Sequence, residues 1–202
     1  MSTLAITGCQ TFAEMNNSIP HTEHSSSSIT DTTNTDQQSL KDDAIRIQRA
    51  LANGDYASIA DDIHPNRGVR FSMYAYIRPE SDKVFSPVQY LQYLRESNIR
   101  FTWGAKDGTG DPLVIPLPEY LQTWVNANTF NDGAKITINE SQVNGNSINN
   151  LNEIYQNSDF VEFYSAGSEQ YGGMDWRGMR LVFDEYQGKR YLVAIISDQW
   201  TI

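Results

Sequence analysis

From Leu40 onward the chain switches repeatedly between two hydrophobic periods. Leu40, Ala44, Ile47 and Leu51 recur at helical spacing, with Ser39 placed to cap the helix and Asn53-Gly54 to stop it. Asp55 is placed to cap a second helix with Tyr56, Ile59, Ala60 and Ile63 on one face, ended by Pro65, which disfavours helical geometry at His64. The next segment alternates, with Val69, Phe71, Met73, Ala75 and Ile77 on one face and Arg70, Ser72, Tyr74 and Tyr76 on the other, which predicts a strand. Ser86-Pro87 opens a third helix with Val88, Tyr90, Leu91 and Leu94 as its apolar face. A strand over Arg100 to Ala105 runs into the turn Lys106 to Pro112, and Leu117-Pro118 starts a fourth helix carrying Tyr120, Leu121, Trp124 and Val125. Ile136 and Ile138 mark a strand over 134–140, and Asn144 to Asn152 reads as a loop.

The last third is strongly β. Phe160 to Tyr164, Gly178 to Tyr186 and Arg190 to Ser197 predict strands, the last two joined as a hairpin around Gln187-Gly188-Lys189. Tyr191 to Ile196 is apolar throughout, which predicts a central strand covered on both faces. The expected fold class is therefore α+β, with N-terminal helices packed on a curved, mainly antiparallel sheet. Through Ala50-Leu51-Ala52-Asn53-Gly54-Asp55-Tyr56, Ile63-His64-Pro65 and the segment Val161 to Trp200, the order of elements resembles the NTF2-like cone, in which a curved sheet wraps a helix and leaves a pocket. A looser likeness, to envelope lipoproteins of bacteria, is carried by Gly68 to Ser72, Phe101 to Gly104, Gly173 to Trp176 and Asp198 to Ile202, and brings no activity with it.

Ahead of this domain the chain has a different character. The first 39 residues contain no Lys or Arg, and from Gln10 to Ser39 most are Ser, Thr, Asn or Gln, a composition too polar to offset the entropy of ordering. The expected organisation is a signal remnant at residues 1–9, a disordered tether at 10–39 and one globular domain at 40–202. The single cysteine, Cys9, closes Ile6-Thr7-Gly8-Cys9, which resembles a bacterial lipobox. That resemblance implies lipidation at Cys9 and a place in the cell envelope, and Gln10 in place of Asp slightly favours the outer membrane if the envelope has two membranes. Lipoprotein signals carry a basic start and an apolar stretch of about 7–15 residues. Met1 to Thr7 is shorter and has no basic residue, so either translation starts further upstream or the four-residue match is accidental and Cys9 is a free thiol.

Composition removes several classes of function. The 202 residues carry 15 Lys+Arg against 25 Asp+Glu, a net charge of -10, with the cations scattered. Phosphate neutralisation needs clustered Lys and Arg, so no nucleic-acid partner is expected. No apolar run approaches the roughly 20 residues of a membrane-spanning helix.

Motif chemistry is sparse. Asp107-Gly108-Thr109-Gly110-Asp111 superficially resembles a calcium loop, yet with Gly108 at the obligatory glycine the ligand positions fall on Trp103, Ala105 and Val114, so a hairpin turn is expected. His21-Thr22-Glu23-His24 sits in the expected tether, without rigid support for a metal. No nucleotide-binding, zinc-protease or serine-hydrolase motif occurs, and His64 is the only histidine of the domain, placed where it could cap terminal carbonyls. Neither a cofactor, a metal site nor a catalytic residue is assigned; Asp175, Glu162 and Glu119 are formal carboxylate candidates that nothing separates.

The remaining signal is aromatic. Eleven Tyr, eight Phe and four Trp include several on polar strand faces, where ring area joined to a hydrogen-bonding tip suits sugars, peptides or small amphipathic ligands. The expected ligand-binding set is Arg70, Tyr74, Trp103, Trp124 and Trp176, with Arg70 placed to pair an acidic ligand. The leading expectation is a non-catalytic envelope domain, anchored through a lipid on Cys9, that binds a small ligand or an envelope protein. A small NTF2-like enzyme using a pocket carboxylate and a structural accessory of the envelope are the alternatives.

Overall fold

A computed structural model describes Met1 and residues 27–142 and 148–201. Cys9 and the rest of the expected signal remnant, the tether up to residue 26 with His21 and His24, and residues 143–147 of the Asn-rich stretch lie outside the described residues. The remainder is an α+β fold in which helices pack on a mainly antiparallel six-stranded sheet.

The first helix, α1 (Ser27–Ala52), buries Leu40, Ala44, Ile47 and Leu51 as its periodicity requires. It starts well before the expected Ser39 cap, so residues 27–39 are helical where a disordered tether was expected. Extending a formed helix costs little per residue, and this stretch finds partners. Gln38 donates to Asp42 at 2.8 Å, and the Arg190 guanidinium reaches Asp36 at 2.5 Å and both Ser39 and Asp43 at 3.4 Å. The expected second helix is a 3-10 helix, Tyr56–Asp62, with Ile59 and Ala60 buried. Asp55 makes no side-chain cap there; its carbonyl instead accepts the Ser58 hydroxyl at 2.8 Å.

The large sheet has the order β2-β1-β8-β7-β6-β5, formed by β1 (Val69–Ser72), β2 (Lys83–Phe85), β5 (Lys135–Ile138), β6 (Asp159–Ser165), β7 (Arg177–Tyr186) and β8 (Lys189–Gln199). Only β1 and β8 pair in parallel, with Phe71 opposite Ile195. The β7–β8 hairpin turns on Gln187 and Gly188, both at positive φ (53° and 74°), the geometry a two-residue turn needs to match strand twist. A second sheet pairs β3 (Arg100–Ala105) with β4 (Pro112–Pro116), a strand with no sequence expectation behind it. Three short α-helices, α2 (Pro87–Arg95), α3 (Leu117–Tyr120), which runs into a π turn over Leu121–Val125, and α4 (Leu151–Ile154), together with 3-10 turns at Ala127–Phe130 and Glu169–Tyr171, complete the described fold. Ser86 caps α2 as expected, accepting from the Gln89 amide at 3.3 Å while the Gln89 side chain accepts from Ser86 at 3.0 Å. Val88, expected on the apolar face of α2, is instead exposed.

The apolar run of β8 is explained by burial on both faces together with a bulge. Val182 pairs with Ala194 and Phe183 with Leu192, which leaves Val193 as the extra residue. Leu192 and Ile195 therefore enter the main core under the helices, while Val193, Ala194 and Ile196 enter a second core on the opposite face with Ile77, Leu151, Tyr155 and Phe160. Phe71 is central to the main core, with its ring between 5.7 and 6.3 Å from those of Phe85, Tyr90, Trp103 and Tyr120. Gly68 permits β1 to enter beside β2: its φ is 69°, and a Cβ there would lie 2.4 Å from the Phe85 carbonyl oxygen.

A charged cluster is buried on the second face. The Arg180 Nε donates to Glu162 at 2.6 Å and to the Ser141 hydroxyl at 3.1 Å, and its Nη2 lies 3.3 Å from Asp198. Glu162 also accepts from the Ser141 hydroxyl at 2.9 Å and from the Gln142 amide, while Arg180 Nη1 finds no acceptor. Glu162 and Arg180 are cross-strand partners on β6 and β7, so the sheet register itself brings them together.

Candidate functional site

The strand expected over Val69 to Ile77 ends at Ser72, although the burial of Met73, Ala75 and Ile77 continues. The reason is local. The Ser72 hydroxyl donates to the Tyr74 carbonyl at 3.0 Å, folding the chain back on itself. The loop that follows β1 is then pinned at several points. Trp124 donates its Nε1 to the Met73 carbonyl at 2.9 Å, and Asn150 clamps Ile77 from both sides, accepting its amide at 2.8 Å and donating to its carbonyl at 3.0 Å. The Arg78 amide donates to the Asp82 carboxylate at 2.9 Å. Burial raises the Asp82 carboxyl above its usual range.

Opposite this loop stands the β3–β4 turn. Lys106 donates its amide to the Asp111 carbonyl at 2.8 Å and accepts from Gly110 at 2.9 Å, and Gly108 and Gly110 take the positive φ values (81° and 73°) that the turn demands. The two elements touch directly. The Tyr74 hydroxyl accepts the Asp107 amide at 2.9 Å, and a Cβ on Gly104 would come within 2.9 Å of the Met73 sulfur. Burial raises the Tyr74 phenol above its ordinary value, so it is a neutral hydrogen-bonding group here.

Between the walls lies a groove of about 770 Å³, lined by Tyr74, Tyr76, Arg78, Lys106, Asp107 and Ile148 among others, with Thr201 behind β8 at its floor. Because β1 and β8 are parallel, both C-terminal ends open toward it. Tyr76 is 43% exposed, and the Arg78 guanidinium sits over its ring at 5.6 Å. No salt bridge joins Arg78 or Lys106 to a carboxylate among the described residues. A second cleft of about 620 Å³ lies between α1 and the β7–β8 hairpin and is rich in carboxylates. There both arginines are already paired: Arg46 grips Asp62 at 2.9 and 2.7 Å, and Arg190 holds Asp36 and Asp43, so the cleft keeps an excess of negative charge.

Of the five residues expected to bind a ligand, one lines the groove and a second packs behind it. Tyr74 lines it, and Trp124 stands edge-on to Tyr74 at 5.6 Å as its support. Arg70 shares a strand face with Ser72, as expected, but its guanidinium is engaged internally, with Nε donating to the Tyr155 hydroxyl at 3.2 Å and Nη1 lying 3.8 Å from Asp82. Trp103 is a core residue, stacked on Tyr120 with ring centroids 3.7 Å apart and donating Nε1 to the Ile115 carbonyl at 2.9 Å. Trp176 is half-buried with its ring 6.3 Å from Tyr164, away from the groove lining.

The carboxylate candidates separate cleanly. Asp175 is exposed and accepts the Ser168 amide at 2.7 Å and hydroxyl at 2.9 Å, contacts that hold it below the usual carboxylate range. Glu119 is exposed, and Glu162 is committed to Arg180. His64 is buried, and its Nδ1 accepts the amides of Asn66 and Arg67 at 3.2 and 3.1 Å, the reverse of the carbonyl cap expected from its position. Burial, followed by the nearby Arg67 charge, lowers its pKa below the ordinary value. Among the described residues no group of three His, Cys, Asp or Glu side chains is arranged to hold a metal ion, and no helix is long and apolar enough to cross a membrane.

Arg78, Lys106, Asp107 and Ile148 were not expected in a site. Asp107 and Lys106 read as plain turn residues, and only the contact between that turn and the loop after β1, distant in sequence, gives them a shared surface. No family model matches the chain, and no curated protein is similar to it.

Proposed function

We propose that the chain is a lipid-anchored protein of the cell envelope whose globular part binds a ligand in the groove between the Tyr74 loop and the Lys106 turn. The observation that carries the binding reading is the way the groove is built. Its walls are fixed to the sheet by the Asn150 clamp, the Trp124 and Tyr74 hydrogen bonds and the Gly104–Met73 approach, while Tyr76, Arg78 and Lys106 remain exposed on them. Preformed concave sites with a few convergent polar groups are the usual ligand sites of small domains.

The anchor reading rests on Ile6-Thr7-Gly8-Cys9 and on Cys9 being the only cysteine. The N-terminal half of α1 is tied to Arg190 at the hairpin end of β8, whereas the groove opens at the other end of that strand, about 33 Å away at roughly 3.3 Å per residue. A membrane anchor leading into α1 thus leaves the groove on the far side of the domain. The test is incorporation of a clickable fatty acid into the protein expressed with its native upstream region, beside Cys9→Ala, followed by membrane fractionation. Label and membrane association that disappear in Cys9→Ala support the anchor; an unlabelled, soluble wild type overturns it.

A further inference from the structure

The groove gathers positive charge on an acidic molecule. In a chain with a net charge of -10, Arg78 and Lys106 face one concavity with a single carboxylate, Asp107, between them. Neither cation has a carboxylate within 4.0 Å among the described residues, so both charges are open to a ligand in the concavity. Local charge of this sign in an acidic protein selects anions. Yet two cations are too few to hold a polyanion by neutralisation, and a bilayer would meet a flat or convex face where this surface is concave.

The other groups narrow the choice. Tyr76 presents an exposed ring whose face Arg78 shares, so an apolar ring surface and a positive charge lie together at fixed spacing. Such a pairing suits a ligand with a C–H face and an anionic substituent on the same ring. Asp107 has its amide taken by Tyr74, but its carboxylate, together with the Thr109 and Thr201 hydroxyls, lines the groove and can accept or exchange hydrogen bonds with ring hydroxyls. A carboxylate acceptor is out of place for a bare anion and in place for a polyhydroxyl. We propose that the groove binds an anionic saccharide, a sugar ring carrying a carboxylate or a phosphate. Tyr76 packs against the ring, Asp107 accepts its hydroxyls, and Arg78 and Lys106 take the charge. The proposal rests on the ligand-binding reading of the groove and gives that ligand a chemical class.

The test is calorimetric titration of the protein with tetragalacturonate, its fully methyl-esterified neutral counterpart, glucose 1-phosphate, inorganic phosphate and phosphatidylglycerol vesicles. A charged saccharide, carboxylate or phosphate, is expected to bind at least about tenfold more tightly than the neutral tetramer at low salt, with the gap closing as the screening length shrinks toward about 3 Å in 1 M salt. Arg78→Gln and Lys106→Gln should each weaken the charged saccharide by about fivefold or more and leave the neutral tetramer unchanged, while Tyr76→Ala weakens both. Equal binding of charged and neutral tetramers overturns the anion requirement and leaves a neutral-sugar groove. Binding of phosphate alone, or of vesicles without any saccharide, overturns the saccharide class. Saccharide binding that none of the three substitutions alters overturns the groove itself as the ligand site, a different failure from a wrong ligand class.

Discussion

Removing the one cation of the buried charged cluster isolates the largest electrostatic quantity in the fold. Glu162, Arg180 and Asp198 are each no more than 2% exposed, and the sheet register sets Arg180 against Glu162. Arg180→Met keeps most of the side-chain volume but leaves two buried carboxylates without their counter-ion. Breaking a buried ion pair from one side costs about 3–5 kcal/mol, because the remaining charge stays desolvated without its counter-ion. Against a total stability of about 5–15 kcal/mol this is a large share, and at about 2–4 °C per kcal/mol it lowers the melting temperature by about 6–20 °C. The combined variant Glu162→Met, Arg180→Met, Asp198→Leu removes all three charges. The Ser141 and Gln142 donors it frees lie near the surface, where water can replace Glu162, so this variant should recover most of the loss. Urea denaturation at pH 7, followed by tryptophan fluorescence, measures both. The reasoning is refuted if Arg180→Met costs less than about 1 kcal/mol, or if the triple variant is no more stable than the single one.

Two further predictions follow from the walls of the groove and from the buried histidine. Asn150→Ala leaves the amide and carbonyl of Ile77 without partners and should cost about 1–3 kcal/mol, with faster hydrogen exchange concentrated in residues 73–78; protection unchanged there would show that the clamp does not hold the loop. His64 sits below its ordinary value of 6.5, so on acidification the unfolded chain takes up the proton first; its contribution is complete above pH 6.5 and drains as pH falls from there toward the folded value. The wild-type unfolding free energy, from urea denaturation, should therefore fall more steeply between pH 7 and 5 than that of His64→Asn, by up to about 1.4 kcal/mol per pH unit, and parallel curves would remove His64 from the acid response.

The sequence exposes what depends on local period and hides what depends on distant pairing. Ser86-Pro87 with Gln89 writes its own capping box, and the alternation of β7 and the Gln187-Gly188 turn dictate their hairpin. The continuous apolar run of β8 correctly signals a covered central strand, but the Val193 bulge, which sends Val193 and Ala194 to the same face, has no mark in the sequence. Strand β1 is legible only to Ser72, because the fold-back after it comes from a side-chain to backbone hydrogen bond and not from a change in hydrophobic pattern. Helix α1 runs back to Ser27, and its Asp36, Ser39 and Asp43 meet Arg190 of β8, more than half the chain away, a pairing that local composition does not reveal. At the groove, Tyr74 could be named from its face of the strand. Trp103 and Arg70 could not be told from ligand-binding residues, because a buried ring stack and an internal guanidinium use the same residue types that a binding site uses.

The parallel contact between β1 and β8 also orders events in time. Arg70 and Ala194, on the order of 120 residues apart, must meet before the sheet has its middle, and every strand on one side joins those on the other only through β8. The strand that unites the sheet is the latest of the eight to leave the ribosome. Until it emerges, β1 and β2 have no sheet to join and the main core lacks Leu192 and Ile195. The β3–β4 and β5–β6–β7 units can pair earlier, but the domain closes its main core only once β8 is made, so until then its apolar face stays open to chaperones.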